Sequence, residues 1–388
     1  MNLPKGWKEI KLSDIASHRI IKNKDSKYTE TYTNSAMQGI VRQTEYFDKE
    51  ISNKENIADY YLVEENDYVY NPRISAAAPC GPISKSHFKE TGIMSPLYTV
   101  FRITSKNFTD DYLEQYFKSH FWYSYMKSVA NYGARYDRMN ITTEDFFNIP
   151  VPFPPLPEQE KIARILSAQD KVIALKQKLL QEKQQQKKYL MQKLLSADGA
   201  SFIIDGVEID KSGWKKCFIS EICKLKSGNP ITAKEFDANG VYPVYGGNGL
   251  RGFTNTFTHE GKHCLIGRQG VLCGNVKFVE GRFFASEHSI VVTSTENDEL
   301  FLFYFFDHMR LNKKSESSAQ PGLSVEKLLK LKSFLPTFPE QQVIAKVLSA
   351  ADEEIELLQK SIEQEKQKKK ALMQLLLTGI VRVKIYEC

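Results

Sequence analysis

The 388-residue sequence has only six cysteines, and no two of them are spaced as CxxC. Cys80, Cys217, Cys223, Cys264, Cys273 and Cys388 are too few for so long a chain to be organised by disulfides, and a reducing, cytoplasmic setting is expected. Long apolar runs are also missing. Stretches such as Phe301 to Phe306 fall far short of the roughly 18 residues that cross a bilayer, and Met1 to Trp7 lacks the apolar core of a signal peptide. No membrane association is expected. Neither sign of charge dominates: 53 Lys and Arg stand against 47 Asp and Glu, a formal +6. That balance permits a polyanionic partner without announcing one.

Enzyme signatures are missing as well. There is no GxxxxGK[ST] loop, and no Pro-Asp dipeptide opens a common nuclease motif. Gly247-Asn248-Gly249-Leu250-Arg251-Gly252 matches GxGxxG, yet a dinucleotide fingerprint needs a helix opening on its last glycine. The alternating Phe253 to Thr258 reads as a strand, so this segment is a glycine-rich turn with polar tips. Asn71-Pro72-Arg73 starts like an adenine-methyltransferase Asn-Pro-Pro-aromatic motif and stops after the first proline. His259, His263, Cys264 and Cys273 fit no standard zinc spacing and read as structural. No catalytic and no metal-ligating residues are expected.

What the chain does have is a repeat. Pro157-Glu158-Gln159, Ile162-Ala163, Leu166-Ser167-Ala168 and Asp170 recur as Pro339-Glu340-Gln341, Ile344-Ala345, Leu348-Ser349-Ala350 and Asp352. At a constant offset of 182, residues 157–197 show 21 identities in 41 positions. Gly6-Trp7-Lys8 returns as Gly213-Trp214-Lys215 at an offset of 207, with Ser13 and Ile15 on Ser220 and Ile222. Each half is therefore a variable block followed by a near-constant one, and the chain is a tandem duplication.

The constant blocks read as helices of some 39 residues. Each opens on Pro-Glu, which suits a first turn, stops near Gly199 or Gly379, and is rich in Ala, Leu, Gln, Lys and Glu. Ile344, Leu348, Ala351, Ile355, Leu358, Ile362, Leu372 and Leu376 form a heptad seam; Ile162, Leu166, Ile173, Leu180, Leu190 and Leu194 repeat its ends around a polar middle. Such a stripe needs a partner; the other copy in the same chain is the obvious one, and pairing between chains is the alternative. The polar midsections, Glu182 to Gln186 and Glu365 to Lys368, either hold register or receive a partner. Gln184, Gln185, Lys187, Lys188, Gln367, Lys369 and Lys370 are the candidates for partner contact.

The variable blocks read as α/β domains. Tyr68 to Tyr70, Phe253 to Thr258 and Ile290 to Val292 alternate like strands, while the aromatic stretches Tyr112 to Tyr125 and Phe301 to Met309 read as buried helices. The expected fold class is α+β: two α/β domains separated by two long antiparallel helices that form an intramolecular coiled coil, a pseudo-twofold tandem repeat. The expected domains are residues 1–150, 151–200 (first helix), 201–335, and 336–388 (second helix and tail).

Two variable domains alternating with helices that open Pro-Glu-Gln and continue Ile-Ala-(Arg/Lys)-(Ile/Val)-Leu-Ser-Ala closely resemble the specificity subunit of type I restriction-modification enzymes. The resemblance covers the whole chain and is sharpest over Pro154 to Asp170 and Pro336 to Asp352. Tyr242 to Gly249 and Ile266-Gly267-Arg268-Gln269-Gly270 are also typical; Met37 to Ile40 and Asn71 to Ile74 depart from them in the first domain. The resemblance implies that each variable block is a target recognition domain reading half of a bipartite double-stranded DNA site. The helices would set the spacer and dock two methyltransferase subunits, and through them two restriction-translocase subunits. S-adenosylmethionine, ATP and magnesium would bind those partners, so this chain would be non-catalytic and hold no cofactor. Candidate DNA contacts lie on loops: Gln38, Arg42, Gln43, Arg73, Arg135, Tyr136 and Arg138 in the first domain, and Asn248, Arg251, Arg268 and Gln269 in the second. The competing readings are a stand-alone DNA-binding or coiled-coil scaffold and a self-sufficient nuclease with an unrecognised site.

Overall fold

The computed structural model describes residues 3–46, 54–131, 137–270, 272–294, 296–314 and 322–385. Two helices of 40 residues each, Leu156–Leu195 and Phe338–Leu377, begin one residue before their prolines. At 1.5 Å per residue each extends about 60 Å. The chain divides into two compact units. One is Met1–Leu175 with Ile362–Cys388, and the other is Lys176–Ser361, so each unit takes one variable block and half of each long helix.

Within each unit the two half-helices run antiparallel. In the first, Ile162 and Leu166 share a core with Met373, Leu376 and Leu377. Gln169 Nε2 donates to Glu365 Oε2 at 2.7 Å, and Asp170 pairs with Lys369. In the second, Lys176 Nζ bonds Ser361 Oγ at 2.8 Å, Lys183 pairs with Glu354 at 2.8 Å and Lys187 with Asp352, before Leu194 joins a core with Ile344 and Leu348. The polar middle is thus a seam of lysines whose stems cover the interface while their ammonium groups reach acids on the facing helix. Asp170 and Asp352 are equivalent in the repeat, as are Lys187 and Lys369, so one ion pair is formed twice with the roles of the helices exchanged. The same contact therefore occurs once within each unit.

Each variable block is closed by a two-stranded antiparallel ribbon that leads into a long helix. Lys8–Lys11 pairs with Pro150–Phe153, and Lys215–Phe218 with Lys332–Leu335. Between these ends, the second unit builds a six-stranded sheet in the order Lys224–Ser227, Ser289–Thr293, His259–Gly267, Val276–Ala285, Tyr242–Gly246, Gly249–Thr254. The first unit repeats the first four positions with Ala16–His18, Thr99–Ile103, Tyr68–Tyr70 and Ile83–Lys85. Its central hairpin is broken, however: the outer part, Tyr61–Val63 with Gly92–Met94, forms a separate pair. At the break sits Asp67, wholly buried, which accepts from the Glu64 amide at 2.8 Å and pairs with Arg102 at 2.7 Å and Arg19 at 3.5 Å. A buried carboxylate needs such partners.

The aromatic stretch from Tyr112 to Tyr125 is two helices, Asp110–Phe117 and Tyr123–Val129, because the turn at Ser119 to Trp122 interrupts it. The Phe301 to Met309 stretch is one helix, Glu299–His308, capped by Asp298. The strand expected over Phe253 to Thr258 lies earlier, at Gly249–Thr254, since its pairing with Tyr242–Gly246 ends at Thr254.

The repeated Pro-Glu-Gln motifs do more than open helices. Glu158 is buried, accepts from Trp7 Nε1 at 2.9 Å, and is held through both oxygens by Arg382 at 2.6 and 2.7 Å. Glu340 accepts from Trp214 Nε1 at 3.2 Å, from the Asp210 amide at 2.8 Å and from Thr337 at 2.7 Å. The neighbouring glutamines are equally committed. Gln159 accepts from the Thr109 amide and donates to the Pro154 and Asn107 carbonyls; Gln341 accepts from the Asp298 amide and donates to the Pro336 carbonyl and Asn297. Each motif therefore ties the entry tryptophan, the loop before the aromatic-rich helix and the helix start into one buried node.

Replacing Glu158 with Ala leaves the Trp7 N–H and the Arg382 guanidinium without their acceptor. An unfolding titration of the full chain is expected to show a loss of about 3–5 kcal/mol, against at most about 1 kcal/mol for Glu326→Ala at the exposed Glu326–Lys330 pair. Acid acts through Glu114. Burial pushes its carboxyl up, but His87 and Lys118 outweigh burial and hold it down at about 2. A depressed carboxylate stabilises above its ordinary 4.5, and that contribution is lost as pH falls through about 2. Chemical denaturation across this window is expected to show a steeper fall for the wild type than for Glu114→Gln.

Candidate nucleic-acid interface

The second unit gathers its candidate residues where three connections meet. The His259–Gly267 and Val276–Ala285 strands form a long hairpin whose tip carries Arg268 and Gln269. The Tyr242–Gly246 strand lies parallel to the Phe284–Ala285 end of that hairpin, and Asn248 sits on the turn that follows. A tight turn at Ser286 to Ser289 completes the cluster, with the Ser286 amide bonded to the Tyr245 carbonyl at 2.8 Å and the Arg268 amide to the His288 carbonyl at 2.9 Å. Two glycines make this contact possible. A Cβ on Gly267 would lie 2.3 Å from the Gly247 carbonyl oxygen, and one on Gly247 would lie 2.8 Å from that of Gln269.

Asn248 and Gln269 are exposed and Arg268 half-buried, so this patch presents an amide pair and a guanidinium. Arg251 lies on the strand after the turn with its guanidinium 5.5 Å from the Phe236 ring. Two further polar residues join them. Lys277 places its ammonium 5.4 Å from the Tyr245 ring, and His288 Nδ1 lies 2.9 Å from Gln269 Oε1. Neither carries a local sequence signal: Lys277 is one lysine in an alternating strand, and His288 lies 19 positions from its partner.

In the first unit the equivalent hairpin, Tyr32–Ser35 with Gly39–Arg42, is buttoned to the equivalent loop by asparagines. Asn34 Nδ2 donates to the Val69 carbonyl at 2.7 Å, and Asn71 Nδ2 donates to the Asn34 carbonyl at 2.9 Å. The loop after Asn71 then pairs with the segment at Asp137: Arg73 bridges Arg138, the Ile74 amide bonds the Asp137 carbonyl at 3.0 Å, and the Arg73 guanidinium reaches Asp137 at 3.6 Å. The result is a cleft of about 380 Å3 whose lining includes Gln43, Asn71, Arg73, Tyr98 and Arg138. Gln38 opens instead onto a cavity of about 610 Å3 lined also by Lys85, His87, Glu114 and Lys118.

The structure thus brings Gln43, Arg73 and Arg138 together, and separately Asn248, Arg268 and Gln269. Arg42 stays apart, faced by Glu30, Glu45 and Glu90 at 3.7, 3.9 and 3.7 Å. Arg135 and Tyr136 lie outside the described residues. On the helices, Gln184, Gln185, Lys188 and Lys370 are exposed, Gln367 bonds Glu363 at 2.8 Å, and Lys187 and Lys369 are engaged in the paired helix contacts.

No helix opens on Gly252, which lies within a strand. Among the described residues no group of three or more His, Cys, Asp or Glu is placed to hold a metal ion. His259 and His263 pack on the Phe283 ring at 5.5 and 5.7 Å, and burial pushes the Cys264 thiol up. Among the described residues no helix is long and apolar enough to cross a membrane.

Residues 4–184 and 211–367 match the family described as type I restriction modification DNA specificity domain. The EcoprrI type I restriction enzyme specificity subunit of Escherichia coli is 31% identical over 326 residues, covering 75% of this chain and 78% of that one. The MjaVIII specificity subunit of Methanocaldococcus jannaschii is 26% identical over 425 residues, covering 99% and 95%. Among solved structures, the type I restriction-modification S subunit of M. genitalium superposes with a TM-score of 0.63 at 18% identity, covering 97% and 96% of the two chains. A chain from a study of complex assembly and conformational transition of the type I R-M system superposes with a TM-score of 0.59 at 14% identity, covering 98% and 100%.

Gly267→Ala is expected to push the Gly247 carbonyl away and open the patch, costing about 1–3 kcal/mol. Gly213→Ala, whose added Cβ would meet Asp210 at an ordinary 3.5 Å, serves as the comparison, and amide exchange at Arg268 and Gln269 reports the difference.

Proposed function

The chain belongs to the type I restriction modification DNA specificity family, and from that premise we propose that each unit reads one half of a bipartite double-stranded DNA sequence. One observation carries the proposal. Four strands run in the same order in both units, and in each unit a hairpin turn and the loop after the third of those strands hold candidate side chains. These are Gln38 and Arg73 in the first unit and Asn248 with Arg268 and Gln269 in the second.

Arg, Gln and Asn are the side chains that discriminate base edges in a groove, each good bidentate pair being worth about 1–3 kcal/mol. Arg73 and Arg138 in one unit, with Arg268, Gln269 and Asn248 in the other, are of this kind. Two readers on one chain bind as a bivalent ligand, so the second half-site is met at high effective concentration. The formal charge of +6 is modest for a protein that grips a phosphate backbone. Partner subunits would supply the remaining phosphate contacts.

In this reading the long helices fix the number of base pairs between the half-sites and carry two methyltransferase subunits on their exposed polar positions, Gln184, Gln185, Lys188 and Lys370 among them. Two restriction-translocase subunits join through those. S-adenosylmethionine, ATP and magnesium belong to the partners, and this chain catalyses no step; it selects the adenine that the assembled methyltransferase modifies and the DNA that the assembled endonuclease cuts. The work is done in the cytoplasm, where the DNA is.

Coexpression with the methyltransferase subunits, followed by methylation mapping, tests the proposal. Arg268→Ala is expected to relax the sequence preference of one half-site and Arg73→Ala that of the other, with assembly unchanged. Unchanged preference in both variants contradicts the proposal. Matched insertions of one helical turn, about 5.4 Å, near residues 180–187 and the facing segment are expected to lengthen the spacer by one or two base pairs.

A further inference from the structure

We infer that the exposed turn Arg310 to Lys314 contacts the DNA phosphate backbone beside the reading loop of the second unit, with Arg310 as its anchor. The inference rests on the reading that the loop bearing Arg268 and Gln269 meets DNA. Arg310 follows the helix Glu299–His308, and its backbone is left-handed, with φ +48°. That conformation suits glycine and tolerates short polar side chains; the other described non-glycine residues that adopt it are Ser26, Asn66 and Asp205. A long cation in that place strains the backbone, and strain of this kind gathers at functional sites. The fold itself makes no use of the charge. Among the described residues, Arg310, Lys313 and Lys314 are exposed, and none of the three has an ion pair or a side-chain hydrogen bond.

The turn is set against the reading loop, backbone to backbone. A Cβ on Gly274 would lie 2.3 Å from the Asn312 amide nitrogen and 2.6 Å from the Leu311 carbonyl carbon. Leu311 is wholly buried in the core beneath. Gly274 is in turn tied to the reading residues. Its amide bonds the Gly267 carbonyl at 2.8 Å, the Gly267 amide bonds the Asn275 carbonyl at 2.8 Å, and Cys273 Sγ bonds the Arg268 carbonyl at 3.2 Å. Between turn and loop lies a recess of about 210 Å3 lined by Gly274, Asn275, Asp307, Arg310 and Asn312 among others. A cationic turn held rigidly at the rim of a base-reading loop suits phosphate, whose contacts fix register on a duplex and carry no sequence information. The first unit lacks a counterpart, because the lysine that ends its equivalent helix, Lys118, is bound to Glu114 at 2.8 Å and faces Asp170 at 3.5 Å.

The test uses the full chain assembled with its methyltransferase subunits, and measures affinity for duplexes with intact and scrambled half-sites across a salt titration. Arg310→Gly is expected to lower the slope of log affinity against log salt by about 0.9, the share of one phosphate contact. Binding should weaken roughly eightfold at about 0.1 M salt, and equally on both duplexes. Glycine relieves the left-handed backbone, so the melting temperature is expected to stay or rise while DNA binding falls. Arg310→Lys is expected to keep the slope. Lys330→Gln, which removes a lysine already paired with Glu326, should leave it unchanged. An unchanged slope in Arg310→Gly overturns the inference, because the turn then stands off the DNA. An equal drop in Lys330→Gln overturns it by reducing the effect to net charge. A lowered melting temperature makes Arg310 a support of the fold, an altered base preference makes it a base contact, and lost assembly makes the turn a protein contact; each overturns the inference. Arg268→Ala separates the underlying reading: unchanged preference in the second half-site means that the loop does not read bases, whatever Arg310 does.

Discussion

A buried carboxylate at the start of each long helix is the interaction on which the rest of the structure depends. Glu158 and Glu340 are placed where water cannot solvate them, so the chain must bring donors to them. The donors come from far away in sequence: Trp7 is 151 residues from Glu158 and Arg382 is 224. Satisfying one acid therefore closes the variable block, fixes the helix that leaves it, and binds the segment after the second helix into the first unit. The adjacent glutamines divide their amide hydrogen bonds between the loop that starts the aromatic-rich helix and the proline carbonyl five residues before them. A reading surface built on loops needs such a base, because loops placed by a rigid scaffold hold side chains where a ligand can be discriminated.

The two units meet the same requirement with different parts. Arg382 grips Glu158 through two parallel bonds, whereas Glu340 relies on a backbone amide and Thr337. The second unit keeps one long hairpin beneath its recognition patch; the first breaks it and fills the break with Asp67 between two arginines. A glycine contact holds loop to turn in one unit, and an asparagine clasp does so in the other. Duplication preserved the node and the strand order and let the loops drift, which is the division expected when the base is shared and the target halves differ.

Much of this is legible in the sequence, for reasons tied to particular residues. The repeat at offset 182 gives the two helices, and the paired Asp and Lys positions lie in it, though their exchange across the antiparallel interface is visible only in three dimensions. Glu158 reads as a helix-start acid because local rules see the dipole and not a tryptophan 151 residues away. The lysines of the polar middle look like a gap in the seam, yet Lys176, Lys183 and Lys187 continue it. Gly249–Thr254 was hidden by its glycines, which suggest a turn until the pairing with Tyr242–Gly246 is seen. Among candidate contacts, Arg42 is faced by carboxylates from three parts of the chain, while Lys277 and His288 enter the patch only through folding.

The central claim is that each variable block reads its own half of the target on a shared base. Exchanging residues 219–331 for the matching block of another family member, with both ribbon strands and both helices retained, measures it directly. The account predicts that methylation mapping of the assembled complex finds one half-site replaced and the other half-site and the spacer unchanged. A chimera that alters both halves, or neither, would contradict it.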